Sequence, residues 1–450
     1  MSSKLPEPPP MSVAVRKGGM GPLQRLPVSV TPLNHIYKRI KTIDDGKGGL
    51  GGMNSGVYIV RQHHAGPLYV EKCYRSDNIK LIKLFREEIG YMRKLMHSGI
   101  VQYVHAYVNI KPPYEAAAYM EYCDRGSLKD MIQIYSKERK MNHDHHIPES
   151  FIWHSFLGLA DVLYFLNTGQ SFISMELQKN DPKKWMPIIH RDIKPDRYPP
   201  PETEQATHVA PRLTPNPDIF LRSRDTPNSP KPPYVLLSDF GIACREDASS
   251  GPDSGGPCSA AGTMEYHAPE LCFDPRPTAH QATHQQASPH TSRSDVFAVA
   301  LAMYCLCERA CFPHIDARCL PLRSPAALGR AARPARLAIG DRGVYSDYLA
   351  RTIEWAGARE PWGRPDAPGM VEGVQRQCRL WRGTRTGSSR WPRCCRSGRL
   401  PGGRSSDRGG GGGGYDKGGL LLVPVAARQI CRFEEHTSLR PPNTVESFTL

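Results

Sequence analysis

The chain has 450 residues, 39% of them hydrophobic, with 42 Pro, 40 Gly and a formal net charge of +15. That length suits one large two-lobed domain or two to three average ones, and the Pro and Gly content leaves a substantial fraction outside any packed core. No apolar run reaches the roughly 20 residues that span a bilayer, MSSKLPEPPP at the N-terminus lacks the apolar core of a secretory signal, and the 13 Cys form no paired C-x-x-C pattern, which points to a reducing, cytoplasmic or nuclear location rather than a membrane or a disulfide scaffold.

Residues 1–33 are rich in Pro and Gly without periodicity and read as disordered. A Gly-rich turn from Gly46 to Gly56 leads into a β-type run, VYIVR (57–61), and PLYVEKCY (67–74) is a second strand candidate. LIKLFREEIGYMRKLM (81–96) carries apolar residues at 81, 82, 84, 85, 89, 92, 95 and 96, a helical stripe. Two more strand-like runs follow, VQYVHAYVNI (101–110) and AAAYMEYC (116–123). After Gly126 the character turns helical, in SLKDMIQIY (127–135), ESFIWHSFLGLADVLYFLN (149–167) and again through the 290s and 340s. Cys305, Cys307 and Cys311 fall in an apolar run and read as reduced side chains packed in a helix, since a zinc site needs a partner cluster. Past about Cys378 nothing patterns as a domain. Ten Arg against one Asp lie between Gln375 and Arg408, so +9 of the +15 belongs to a low-complexity basic and Gly-rich tail. Arg-Gly tracts bind nucleic acid through phosphate contacts, but Trp381, Trp391 and Tyr415 are the only aromatics interleaved here, so nucleic acid is not the favoured partner.

Three motifs carry the chemistry: IIHRDIKPD (188–196), LLSDFGIA (236–243) and GTMEYHAPE (262–270). They resemble the catalytic loop, the magnesium-binding loop and the end of the activation segment of eukaryotic-type protein kinases of the Ser/Thr class. The resemblance implies an α+β, two-lobed fold over residues 34–374, with a β-rich N-lobe (about 34–123), an α-rich C-lobe (about 124–374), insertions at 169–184, 197–217 and 275–291, and a tail from 375 to 450. It implies transfer of the γ-phosphate of Mg-ATP to Ser/Thr hydroxyls of protein substrates, with ATP and Mg²⁺ as cofactors. Short features are similar to NIMA-related and other cell-cycle Ser/Thr kinases.

Carried over by position, the resemblance makes Asp192 the acceptor of the hydroxyl proton and Lys194 the side chain that reaches the transferred phosphate. Thr263 would bond both. Asp239 would hold the metal, and Lys72 the α- and β-phosphates, with Glu88 its helix partner in preference to Glu87. Gly49 and Gly51 would cover the phosphates, with Asn54 at the third Gly position and Val57 on the adenine; the alternative frame, Gly46, Gly48 and Gly51, fits by spacing. Glu121 and Cys123 would offer hinge backbone to adenine behind a Met120 gatekeeper. Glu270 would pair with Arg364, and Asp295 would brace the catalytic loop. Ser259 is the best-placed target of an activating kinase or of autophosphorylation.

One element is missing. Five residues after Asp192 the family has an Asn for the second metal, and here stands Arg197, whose charge would repel it. Three readings follow: a pseudokinase scaffold, Asn216 folding back, or an insertion foreign to the mature chain. The third has arithmetic behind it. Joining the first base of an AGR codon for Arg197 to the last two of the Asp218 codon encodes Asn and restores HRDIKPDNIFLRSR.

Overall fold

In the computed structural model of the chain, the described residues are 25–45, 55–62, 66–139, 145–173, 184–195, 218–223, 232–246, 262–263, 266–271, 290–311, 339 and 343–384. Six strands form one sheet: β1 (Val28–Ser29), β2 (Tyr37–Asp44), β3 (Gly56–Gln62), β4 (Leu68–Ser76), β5 (Tyr103–Asn109) and β6 (Tyr114–Glu121), in the order β1-β5-β6-β4-β3-β2. Every neighbour is antiparallel except β1, which lies parallel to β5 with Val28 opposite Ala106. Residues alternate between the sheet's two faces. One face packs on α1 (Ile79–Lys94) through Ile82, Phe85, Ile89 and Met92; the other buries Leu33, Tyr37, Val60, Tyr69 and Tyr119. Asn78 caps α1, accepting from Lys80 N at 2.9 Å, and Arg93 and Lys94 sit at the carbonyl end, where positive charge suits the helix dipole.

The second lobe is helical. α3 (Glu149–Thr168) and α4 (Ser292–Glu308) are buried along most of their length, as their near-uniform apolar sequences require, with α2 (Leu128–Arg139), α5 (Asp347–Ala356) and α6 (Ala367–Thr384) around them. Two short two-stranded antiparallel sheets complete the fold: β7 (Ile188–Ile189) with β10 (Cys244–Arg245), and β8 (Ile219–Arg222) with β9 (Tyr234–Leu237). Leu237 stitches β9 to the N-lobe, donating to Gly99 O at 2.8 Å and accepting from Val101 N at 2.9 Å. Cys305 and Cys307 are buried and unpaired in α4, as the sequence pattern anticipates.

Both expected boundaries move outward. Residues 25–33, assigned above to a disordered segment ending at 33, include a sheet strand and the buried Leu33. The tail expected from 375 begins later, since α6 runs on to Thr384 and buries Cys378 and Trp381. Arg376, Arg379 and Arg382 are the exposed face of that helix, so the three-residue Arg spacing begins as ordinary amphipathic patterning. The parts of the insertions and tail at 174–183, 196–217, 272–289 and 385–450 lie outside the described residues.

Across the base of the C-lobe, Arg364 makes a bidentate pair with Glu270, both bonds 2.8 Å, and lies 4.8 Å over the Phe297 ring. The Arg364 side chain is fully buried. Removing one partner of such a pair strands the other charge.

A chain ended after Thr384 is expected to unfold like the full protein. One ended after Val374 removes the Trp381 anchor, a loss on the scale of about 3–5 kcal/mol. Urea unfolding of the two truncations compares them.

Candidate active site

Lys72 on β4 is the centre of the site. It lies opposite Val57 in the β3–β4 register, and its Nζ meets Glu88 Oε1 at 3.0 Å and Asp239 Oδ1 at 2.9 Å. Glu88 points inward because it follows the α1 stripe of Ile82 and Phe85 by helical spacing; Glu87, one residue earlier, is exposed. The second Glu88 oxygen accepts from the Tyr74 hydroxyl at 2.9 Å. Burial alone would lower the Lys72 ammonium, but Asp239 and Glu88 outweigh it and hold its pKa well above the ordinary value. Burial likewise works against the Asp239 carboxylate, yet Lys72, and after it Lys194, keeps that group at about 2.

Asp239 sits directly after β9 and Ser238 with a φ of +63°, a conformation non-glycine residues rarely hold. Gly241 makes room beside it: a Cβ there would come within 3.2 Å of both Asp239 Oδ1 and Glu88 Oε2. Phe240 is buried, with the His190 ring 4.8 Å away and edge-on.

The loop after β7 carries Asp192. Its backbone is held from below by Asp295 at the start of α4, which accepts from His190 N at 2.6 Å and Arg191 N at 3.0 Å. Asp192 Oδ1 accepts from both Thr263 N (2.8 Å) and Thr263 Oγ1 (2.7 Å), while Oδ2 pairs with Lys194. Gly262 makes the approach of Thr263 workable, since its φ is +107° and a Cβ would stand 2.4 Å from Arg191 O. His190 is completely buried and neutral: desolvation pulls its pKa down to about 4 against the carbonyl of Ser238, which lies 2.9 Å from Nε2.

Of the other expected ligand-binding residues, Val57 is buried beside Lys72 and Cys123 is half-buried at the end of the β6 connection. The Glu121 side chain turns away, accepting from Gln102 N at 2.7 Å and pairing with Arg222 on β8, and its own N–H donates to Gln102 O at 3.0 Å. Gly49, Gly51, Arg197, Asn216 and Ser259 lie outside the described residues.

Asp218 was missed by reasoning along the sequence. The residue directly before β8, it is fully buried, its Oδ2 2.8 Å from Lys194 Nζ, with neither oxygen in an aligned hydrogen bond. Burial pushes its pKa well up, against the opposing pull of Lys194 and with the added push of the Asp192 and Asp239 charges. An under-satisfied buried carboxylate among like charges is a place that suits a cation. The signal available in sequence was register: Asp218 precedes IFL as the family's Asn does. Among the described residues no group of three His, Cys, Asp or Glu could hold a metal unaided. Magnesium typically takes one or two carboxylates and completes its shell with water and phosphate oxygens, and Asp239 with Asp218 fits that donor set.

Residues 46–197 match the family described as protein kinase domain. About a third of the chain is thus similar to a protein kinase domain. It is 28% identical over 244 residues to the G2-specific protein kinase nimA of Emericella nidulans, an overlap of 51% of this chain and 27% of that protein. With the G2-specific protein kinase fin1 of Schizosaccharomyces pombe it is 26% identical over 277 residues, 60% of this chain and 30% of the relative. The chain thus spans under a third of the length of these curated relatives.

The His190 pKa sets a stability window. Its folded value of about 4 lies below the ordinary 6.5, so its contribution is complete above pH 6.5 and is lost as pH falls toward 4, by up to about 3 kcal/mol. Urea unfolding across that window is expected to show a shallower pH slope in His190→Gln than in the unaltered chain.

Proposed function

We propose that the chain is a protein Ser/Thr kinase that moves the γ-phosphate of Mg-ATP to hydroxyls on protein substrates. The observation that carries this reading is Lys72 bonded at once to Glu88 and Asp239, beside an Asp192 held by Thr263 and Lys194. Phosphoryl transfer asks mainly for positioning and charge neutralisation. Lys72, kept cationic by its two carboxylates, orients the α- and β-phosphates. Asp192 orients the substrate hydroxyl and accepts its proton, and Thr263 fixes the Asp192 rotamer through Oδ1. Lys194 neutralises charge that develops on the transferred group. Val57 and the backbone at Glu121 and Cys123 receive the adenine, with Gly49 and Gly51 over the phosphates. Asp239 and Asp218 are the residues that would hold Mg²⁺, which supplies charge neutralisation of the phosphate oxygens when bound. Lys194 and Thr263, together with the relatives' kinase character, favour Ser/Thr over Tyr.

Asp218 weakens the pseudokinase alternative. It brings an oxygen ligand to the position that Arg197 vacates in sequence, whichever way residues 196–217 are accounted for. The G2-specific protein kinases among the relatives support a cytoplasmic or nuclear site of action. No helix of the described residues is long and apolar enough to cross a membrane. Ser259 remains our candidate for activating phosphorylation.

Thermal shift with ATP, with and without Mg²⁺, is the first test: stabilisation that requires the metal is expected, and its absence sinks the enzyme reading. Transfer of labelled phosphate to a generic basic protein is expected to fall by about 10²-fold or more in Asp192→Ala, the scale of losing a general base. Asp218→Ala is expected to lower transfer and raise the Mg²⁺ concentration needed for half-maximal rate, whereas Asp218→Asn restores most of it. A chain in which a single Asn replaces residues 197–218 should be at least as active as the unaltered protein.

A further inference from the structure

We infer that Arg25, ahead of the matched kinase segment, is a positioning residue that holds the Lys72–Glu88–Asp239 arrangement together from outside the site. The inference rests on the kinase reading for its catalytic consequence but not for its structural one. Residues 25–29 run along the β5 edge: Leu26 N donates to Val104 O at 2.9 Å, Tyr103 Oη donates to Leu26 O at 3.0 Å, and β1 pairs with β5. This fixes the start of the strap, and it delivers the Arg25 guanidinium to the end of α1. There it donates to Arg93 O and, at 2.8 Å, to Leu95 O. The first is a carbonyl of the last turn, which the helix itself cannot satisfy and which belongs to its negative dipole end; the second is the carbonyl of the C-cap residue. Arg93 and Lys94 are in the same turn, yet the cation that bonds these carbonyls comes from outside the helix.

The same guanidinium donates to Gln102 Oε1 at 2.8 Å. The Gln102 amide nitrogen in turn donates to His97 O (2.8 Å) and Ile100 O (2.7 Å). That short loop bonds Leu237 from both sides through Gly99 O and Val101 N, and Leu237 stands two residues before Asp239. One side chain therefore touches the helix that aims Glu88 and, through Gln102, the loop that anchors the strand leading to Asp239. Both partners of Lys72 are referred to Arg25. Charge-assisted donors in a fork geometry are suited to such a clamp, where a Lys reaches fewer acceptors at once.

The test uses the full chain. Arg25→Ala is expected to raise amide hydrogen exchange in Glu88–Met96 about tenfold or more, as local opening of the helix end loses charge-assisted hydrogen bonds. Exchange in α3 is expected to stay unchanged, and Arg25→Lys to fall between. In phosphate transfer, kcat is expected to drop about tenfold with the KM for the protein substrate unchanged, the pattern of misplaced catalytic groups. Unchanged exchange at the helix end overturns the inference, as does a rise spread equally over α3, and so does raised exchange with kcat intact. If the unaltered chain transfers no phosphate, the kinase reading fails, and the exchange comparison alone decides whether Arg25 clamps the helix.

Discussion

A lysine held between two carboxylates from different parts of the chain is the constraint on which the rest of this structure depends. Each of the three groups would be costly to bury alone, and breaking such a cluster leaves an uncompensated charge worth about 3–5 kcal/mol. Glu88 can reach Lys72 only with α1 docked on the sheet through Ile82, Phe85, Ile89 and Met92. Asp239 can reach it only with β9 bonded to the loop at 99–101. The apolar packing of one lobe and the anchoring of β9 to the loop at 99–101 are thus read out as the position of a single ammonium group.

Around the second lobe the same economy recurs with acids instead of a base. Asp192 and Asp239 lie near Asp218 and Lys194, close enough for both to act on the Asp218 charge. An Asn at that position would bring an oxygen without a charge. Asp218 brings an acid, and the cation that meets it is Lys194, 2.8 Å away. Asp295 and His190 answer the opposite need: they are buried polar groups whose bonds go to backbone, and they hold the loop's shape without entering the cleft.

Much of this could be read along the chain, and the exceptions have physical causes. The runs at 57–61, 67–74 and 116–123 announce strands because they are β-branched, aromatic or alternating, and α1 announces itself by its stripe. Its ends were less visible: the helix begins at Ile79 because Asn78 can cap it, and stops at Lys94, two residues before the apolar pattern does. β1 is two residues long and exists through β5, so nothing local marks it. β2 hides behind Lys38, Arg39 and Lys41, whose exposed charges suit an unpaired sheet edge and mask the alternation. Lys72, Asp192 and Asp239 were legible because their neighbours are distinctive. Asp218 and Arg25 were not, since what matters about each is a contact made across more than twenty intervening residues.

That Asp218 lies 2.8 Å from Lys194 also sets the polymer cost of what separates them. The described chain stops at Pro195 and resumes at Asp218 after 22 intervening residues, and its two sides meet at this ion pair. Closure entropy grows only with the logarithm of contour length, about 0.6 kcal/mol per doubling, so lengthening a tight connection roughly eightfold costs about 2 kcal/mol. Burying Ile193 on one side and Ile219 with Leu221 on the other returns more than that. The pocket's register is therefore nearly indifferent to how much chain is threaded between its halves.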